Sequence, residues 1–178
     1  MALKSSIFKA TLNISDMDRH YYQEHKLTIA RHPSETDERM MLRIAVFALH
    51  ATENLSFTKG LSTDDEPDLW QKNLSEEIEQ WIELGQPDEK RMRQASGKSK
   101  RVCIYCYATK SAEVWWQKAK DKFSRFDNLD VYHISESVVA QLSKLADKNM
   151  LLQATIQDGV LWLSDNDHSV EISPEQWK

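Results

Sequence analysis

Three carboxylates, a proline and a fourth carboxylate occupy Asp64 to Asp68 in "DDEPDLW", and Glu83 follows fifteen positions later near the end of "EEIEQWIEL". Carboxylate oxygens are the ligands that Mg²⁺ and Mn²⁺ prefer, and these ions commonly take one or two of them and fill the remaining positions with water and substrate phosphate. If Asp68 ends one segment and Glu83 projects from the adjacent strand, their oxygens can converge on one ion. The same residues also fit a plain account: an acidic surface loop followed by a strand whose Glu77, Glu79, Trp81 and Glu83 share a wet face opposite Ile78, Ile82 and Leu84.

Cys103 and Cys106 in "RVCIYCYA" have a spacing used by redox and zinc sites. Their neighbours are β-branched and aromatic, so the segment reads as a buried strand, on which positions three apart face opposite ways. We therefore read both as core thiols. The six histidines, His20, His25, His32, His50, His133 and His168, show no ligand spacing and read as surface or locally bonded groups. Between Lys90 and Arg101 the stretch "KRMRQASGKSKR" holds Lys90, Arg91, Arg93, Lys98, Lys100 and Arg101 with no acid among them. It is either a solvated helix end or a phosphate-contacting patch beside the acidic segment.

The elements that must position these groups follow from periodicity. "SIFKATLNIS" alternates apolar and polar residues, and "EHKLTIARHP" reads as its antiparallel partner after a turn around Asp16 to Tyr22. From Thr36 the spacing predicts a helix, with Ser34 or Thr36 as cap and Asp37 and Glu38 in the first turn. A short extended piece near "LSFTKGLS" leads to the acidic loop and the strand "EEIEQWIEL". Pro87 stands where a first helical position is expected, and Gly97 marks the end of that helix. Then come a strand near 102–107, a helix near 112–126, a strand near 131–134 and a helix near 136–147. Asp158-Gly159 between two apolar runs is a hairpin signal. Strands alternating with helices, bracketed by antiparallel strands, imply one α/β domain over residues 1–178, a mixed β-sheet flanked by helices.

The chain's 178 residues, 40% hydrophobic with four glycines and four prolines, are a globular composition. No apolar run approaches the roughly 18 residues that cross a bilayer, and "MALKSSIFKATLNI" has no signal core, so we expect a cytoplasmic protein without membrane contact. The net charge of −5 counts against a protein that coats nucleic acid by electrostatics alone.

The linked blocks "GLSTDDEPDLW", "IEQWIELGQPDEKRMRQA" and "VCIYCY", with "HPSETDERMMLRIAVFAL" upstream, resemble the bacterial YaeQ family nearly end to end. That resemblance implies a fold related to the PD-(D/E)XK, restriction-endonuclease-like nucleases, which bind a divalent metal through an Asp after a turn and an acid on the next strand. Carried over, Asp68 and Glu83 take those roles, with Mg or Mn as cofactor. Glu38, on the stripe of Met41, Ala45 and Ala48, is the candidate third metal ligand; its other reading is a first-turn glutamate favoured by the helix dipole. The family pattern has a Lys two places after the second acid, where this chain has Gly85. Gln86 is then the candidate to position water, and Lys90 or Arg91 the candidates to counter phosphate charge. Arg91, Arg93, Lys98, Lys100 and Arg101 would contact flanking nucleic-acid phosphates. Trp70 and Trp81 either stack on bases or pack. The implied activity is a metal-dependent nuclease acting on phosphodiesters, and the alternative is a non-catalytic member of the fold that binds nucleic acid or a protein partner.

Overall fold

The computed structural model describes residues 4–59 and 65–178. All of "GLSTD", Asp64 included, lies outside the described residues. The chain falls into two compact units, one of residues up to Ala51 with Ser137–Ser173, the other of Thr52–Glu136 with Pro174–Lys178.

In the first unit β1 (Ser6–Asp16) and β2 (Tyr21–Arg31) form the expected antiparallel hairpin, in register from Ser6↔Arg31 to Asp16↔Tyr21. The turn is held by Asp16, whose Oδ1 accepts from the amides of Asp18 and Arg19 at 3.0 and 3.1 Å, while His20 takes a left-handed φ of 54°. Helix α1 (Asp37–His50) starts at Thr36, whose hydroxyl accepts from the Arg39 amide at 3.1 Å, and it is buried continuously from Met40 to Ala48. Immediately before the cap, Glu35 is buried too. Its two oxygens accept separately from Arg43 Nη2 at 2.6 Å and Arg39 Nη1 at 2.8 Å.

Helix α4 (Glu136–Ser143) lies mostly in this unit and buries Val139 and Leu142. β8 (Asn149–Gln157) then pairs parallel with β1, and β9 (Val160–Ser164) and β10 (Ser169–Ile172) complete a sheet of order β10-β9-β8-β1-β2. The β8–β9 turn is Asp158-Gly159 at φ 54° and 76°, the pair of positive values a two-residue hairpin turn needs. Both turn amides donate to the Asp18 carboxylate at 2.8 Å, tying one hairpin to the other.

The second unit holds β3 (Leu55–Phe57), β4 (Leu69–Lys72), β5 (Ile78–Leu84), α2 (Glu89–Lys98), β6 (Ser99–Cys106), α3 (Thr109–Phe123), β7 (Leu129–His133) and β11 (Glu175–Gln176). β5, β6 and β7 run parallel; β3–β4–β5 and β11–β7 are antiparallel. Trp81, Val102, Ile104, Leu129 and Val131 share one face of this sheet and pack with Met92 and Ala95 of α2 and Phe123 of α3. Each fully buried large side chain of this kind stabilises by ~1.5–3 kcal/mol relative to exposure.

The fold is therefore α/β with mixed sheets and, among the described residues, four helices. The expectation of one sheet is corrected to two. The two-residue β11 and three-residue β3 close the edges of the parallel core, so the β1–β2 hairpin takes β8 as its neighbour instead. Smaller differences have local causes. Asp88, not Pro87, begins α2: its carboxylate accepts from the Arg91 amide at 2.8 Å, which places Pro87 ahead of the cap. Gly97 lies inside that helix rather than ending it. α3 begins and ends three residues earlier than expected, and α4 stops at Ser143. Among the described residues no helix is long and apolar enough to cross a membrane.

Candidate metal centre at the β4–β5 junction

β4 and β5 pair in the register Leu69↔Ile82 and Trp70↔Trp81, and its continuation sets Asp68 opposite Glu83. Directly opposed side chains share a face with Cβ atoms ~4.5–5.5 Å apart. Asp68 is pinned there from both sides: its amide donates to Ile82 O at 3.1 Å, and its Oδ2 accepts from the Leu84 amide at 2.8 Å. Sequence separation thus vanishes because a short antiparallel connection folds the acidic segment back onto the strand end.

Glu83 is 5% exposed and Asp68 likewise 5%. The wet-face account of β5 fails at this end, since Trp81 is buried in the cluster under α2 and Glu83, on the same face, is bonded to Trp81 and to Arg91 of that helix. β5 is an interior strand, so at its C-terminal half four successive residues, Trp81 to Leu84, are buried. Trp70 meets Trp81 edge to face at 6.5 Å, the packing reading rather than base stacking for Trp81.

One glutamate oxygen, Oε1, accepts from Trp81 Nε1 at 2.9 Å and from Arg91 Nε at 2.7 Å. Arg91 also donates from Nη2 to Glu66 O at 2.7 Å and lies 6.0 Å from the Trp81 ring centre. Burial pushes the Glu83 carboxyl up to about 7; the charge of Arg91 opposes the rise and that of Asp68 adds to it. The site is a pair of opposed, buried carboxylates with the Arg91 guanidinium held on Glu83.

The other candidates are placed as follows. Arg91, one residue beyond Lys90, is the base that reaches Glu83, because Asp88 caps the helix and directs position 91 inward; Lys90 is exposed. Gln86 is exposed, and its Nε2 donates to Ser111 Oγ at 2.9 Å at the start of α3. Gly85 has φ of +113°, and a Cβ there would meet nothing within 4 Å, so backbone strain rather than space opposes the family lysine at this position. Glu38 is an exposed first-turn residue of α1 in the other unit.

The basic stretch is largely paired with acids: Arg93 with Glu89 of the same helix, and, from neighbouring strands, Lys100 with Glu79 at 3.0 Å and Arg101 with Asp130 at 2.9 Å. Lys98 is exposed. Cys103 and Cys106 are free and buried, and burial pushes both thiols up to about 12, which suits core residues and not nucleophiles. Sequence reasoning missed Glu35 with its two arginines. The i, i+4 and i, i+8 spacing to Arg39 and Arg43 was the available signal.

Among the described residues no group of three or more His, Cys, Asp and Glu side chains is placed to hold a metal. Two opposed hard carboxylates are nonetheless the donor type of an ion that keeps waters and takes substrate oxygens. The fold and this junction define an α/β protein with a buried acidic pair at a strand end.

The match to known proteins is specific. The family model described as YaeQ protein matches residues 1–174. The YaeQ protein of Escherichia coli K12 is 46% identical over 178 residues, covering 100% of this chain and 98% of that one, and the Salmonella typhi protein is 47% identical with the same coverage. The crystal structure of YaeQ protein from Xanthomonas axonopodis pv. citri superimposes with TM-score 0.95 at 41% identity, covering 98% of each chain. That from Pseudomonas syringae gives 0.93 at 34%, covering 98% of this chain and 96% of the other. The chain belongs to the YaeQ family.

Proposed function

We propose that the chain is a cytoplasmic, divalent-metal-dependent phosphodiesterase of the nuclease kind, with Mg²⁺ or Mn²⁺ held by Asp68 and Glu83. The observation that carries this reading is the opposed, buried Asp68–Glu83 pair, with Arg91 held on Glu83. The resemblance of its "PD" and "ELGQ" segments to the PD-(D/E)XK nucleases supports it. A bound ion would polarise a phosphoryl oxygen and lower the pKa of a bound water.

Arg91 takes the charge-countering role that the missing lysine at Gly85 leaves open, being fixed by Glu83, the Glu66 carbonyl and the α2 cap. Its planar fork suits phosphate oxygens. Lys90, exposed one residue away, is available to a flanking phosphate, and Gln86 can hold a water by its amide oxygen while its nitrogen stays on Ser111.

The second reading, a non-catalytic binder of nucleic acid or protein on this fold, has its own support. The backbone at Gly85 disfavours a lysine, and Arg93, Lys100 and Arg101 are engaged by acids within the chain. Calorimetric titration of Mn²⁺ into the wild type and an Asp68→Asn, Glu83→Gln double variant, with a model oligonucleotide present, tests the metal. Binding by the wild type alone is expected; equal or absent binding in both sinks the metal centre. Metal-dependent cleavage across DNA and RNA substrates that is lost in Glu83→Gln separates the enzyme from the binder, which would show salt-dependent association without product.

A further inference from the structure

We propose that the exposed face of the five-stranded sheet is an isologous interface, and that its occupant is a second copy of this chain. Alternation along β1 buries Phe8, Ala10, Leu12 and Ile14 and leaves the odd-numbered positions exposed or half-buried; the registers of the other four strands identify the residues that share that outer face. Among the described residues seven large hydrophobic side chains are exposed, and five of them, Ile7, Met17, Tyr22, Leu151 and Trp162, lie on this one face or at its end. Leu151, at 71% exposed, stands at its centre opposite Thr11. Scattered exposed apolar residues are ordinary, whereas a cluster on one flat surface marks an interaction site.

Charge selects the partner. The strands present only four charged side chains on this face, Lys9, Lys26, Glu24 and Glu171, two of each sign. Among the described residues none of the four is ion-paired within the chain, in contrast to the basic residues of the other unit. With Asp147, Asp165 and Asp167 at its rim as well, this face lacks the basic footprint through which nucleic acid is bound. A two-fold interface, by contrast, requires a surface that carries its own complement, and equal numbers of lysine and glutamate supply it.

Size and shape agree. At ~3.3 Å per residue and ~4.8 Å between strands, the five strands make a face of roughly 600 Å² in projection. Side-chain relief brings this close to the ~800 Å² that each partner buries in a standard interface. A groove of about 580 Å³ crosses it between Lys9, Lys26, Asn149 and Leu151, room for a ring such as that of Trp162 from the second copy. Sheets pack face to face in this way in sandwiches.

Sedimentation equilibrium of the full chain over a range of concentrations tests the proposal. The wild type is expected to dimerise, and a Leu151→Glu, Trp162→Glu variant to raise the dimer Kd at least ~10-fold, as loss of central apolar anchors does. Two charge variants, K9E/K26E and E24K/E171K, are each expected to be monomeric and to associate with each other when mixed. Circular dichroism melts separate these effects from unfolding, since all six positions are exposed. A wild type that stays monomeric at its highest soluble concentration overturns the proposal, as does a dimer that none of these variants alters.

Discussion

Each unit buries a glutamate against arginine, and the two solutions differ. Glu35 has one arginine on each oxygen, Arg43 at 2.6 Å and Arg39 at 2.8 Å. Glu83 has one, Arg91, on a single oxygen, and faces Asp68 across the β4–β5 pair. A carboxylate matched oxygen by oxygen is compensated where it stands and serves the start of α1. One that is buried, shared and set against a second acid is held in a state that a cation would relieve. The lesson is that burial alone does not mark a site; the imbalance of charge around the buried group does.

Breaking the matched cluster should have the largest effect. Arg43→Ala leaves Glu35 buried without one of its two partners, and urea denaturation should show a loss of ~3–5 kcal/mol. Equal stability of that variant and the wild type would mean that Glu35 is not compensated in the way its geometry implies.

The unmatched site should reveal itself through pH. Glu83 has a folded pKa near 7 against an ordinary value of 4.5, so the folded state binds the extra proton. The stability tied to that proton is fully present below about 4.5 and is lost as pH rises through 7, a fall of about 3 kcal/mol for a shift of this size. Glu83→Gln should flatten this part of the stability profile; an unchanged slope would show that Glu83 titrates normally.

Mn²⁺ should sharpen the contrast further. At a hundred times its Kd it should stabilise the wild type by ~2.7 kcal/mol and leave the Asp68→Asn, Glu83→Gln variant unmoved in a thermal melt. Stabilisation of both proteins would place the ion elsewhere. The smallest effect belongs to the cap that presents Arg91: Asp88→Ala should cost ~1 kcal/mol and weaken the hold on Glu83. Asp88→Asn, which can still accept the Arg91 amide, should restore most of it.

Local physics made much of this molecule legible in the chain. Thr36 starts α1 because its hydroxyl meets an amide three residues on, Asp158-Gly159 turns β8 into β9 because both positions tolerate positive φ, and Cys103 and Cys106 are core because a strand separates them. Asp68 and Glu83 were legible as acids worth pairing, partly by pattern and mainly by family resemblance. Each of these signals acts within a few residues or within one family motif.

Only the tertiary structure decided the rest. That β1 pairs with β8 about 140 positions away, and so belongs to a second sheet, depends on which strands already close the edges of the first. That Arg91 and not Lys90 meets Glu83 depends on the rotation of α2 set by its cap and by Met92 and Ala95 in the core. Glu83 itself reads as a solvent-side residue by alternation, yet it is buried because β5 is covered at that end on both faces. Periodicity reports which residues share a face; what lies against that face is settled by partners distant in the chain.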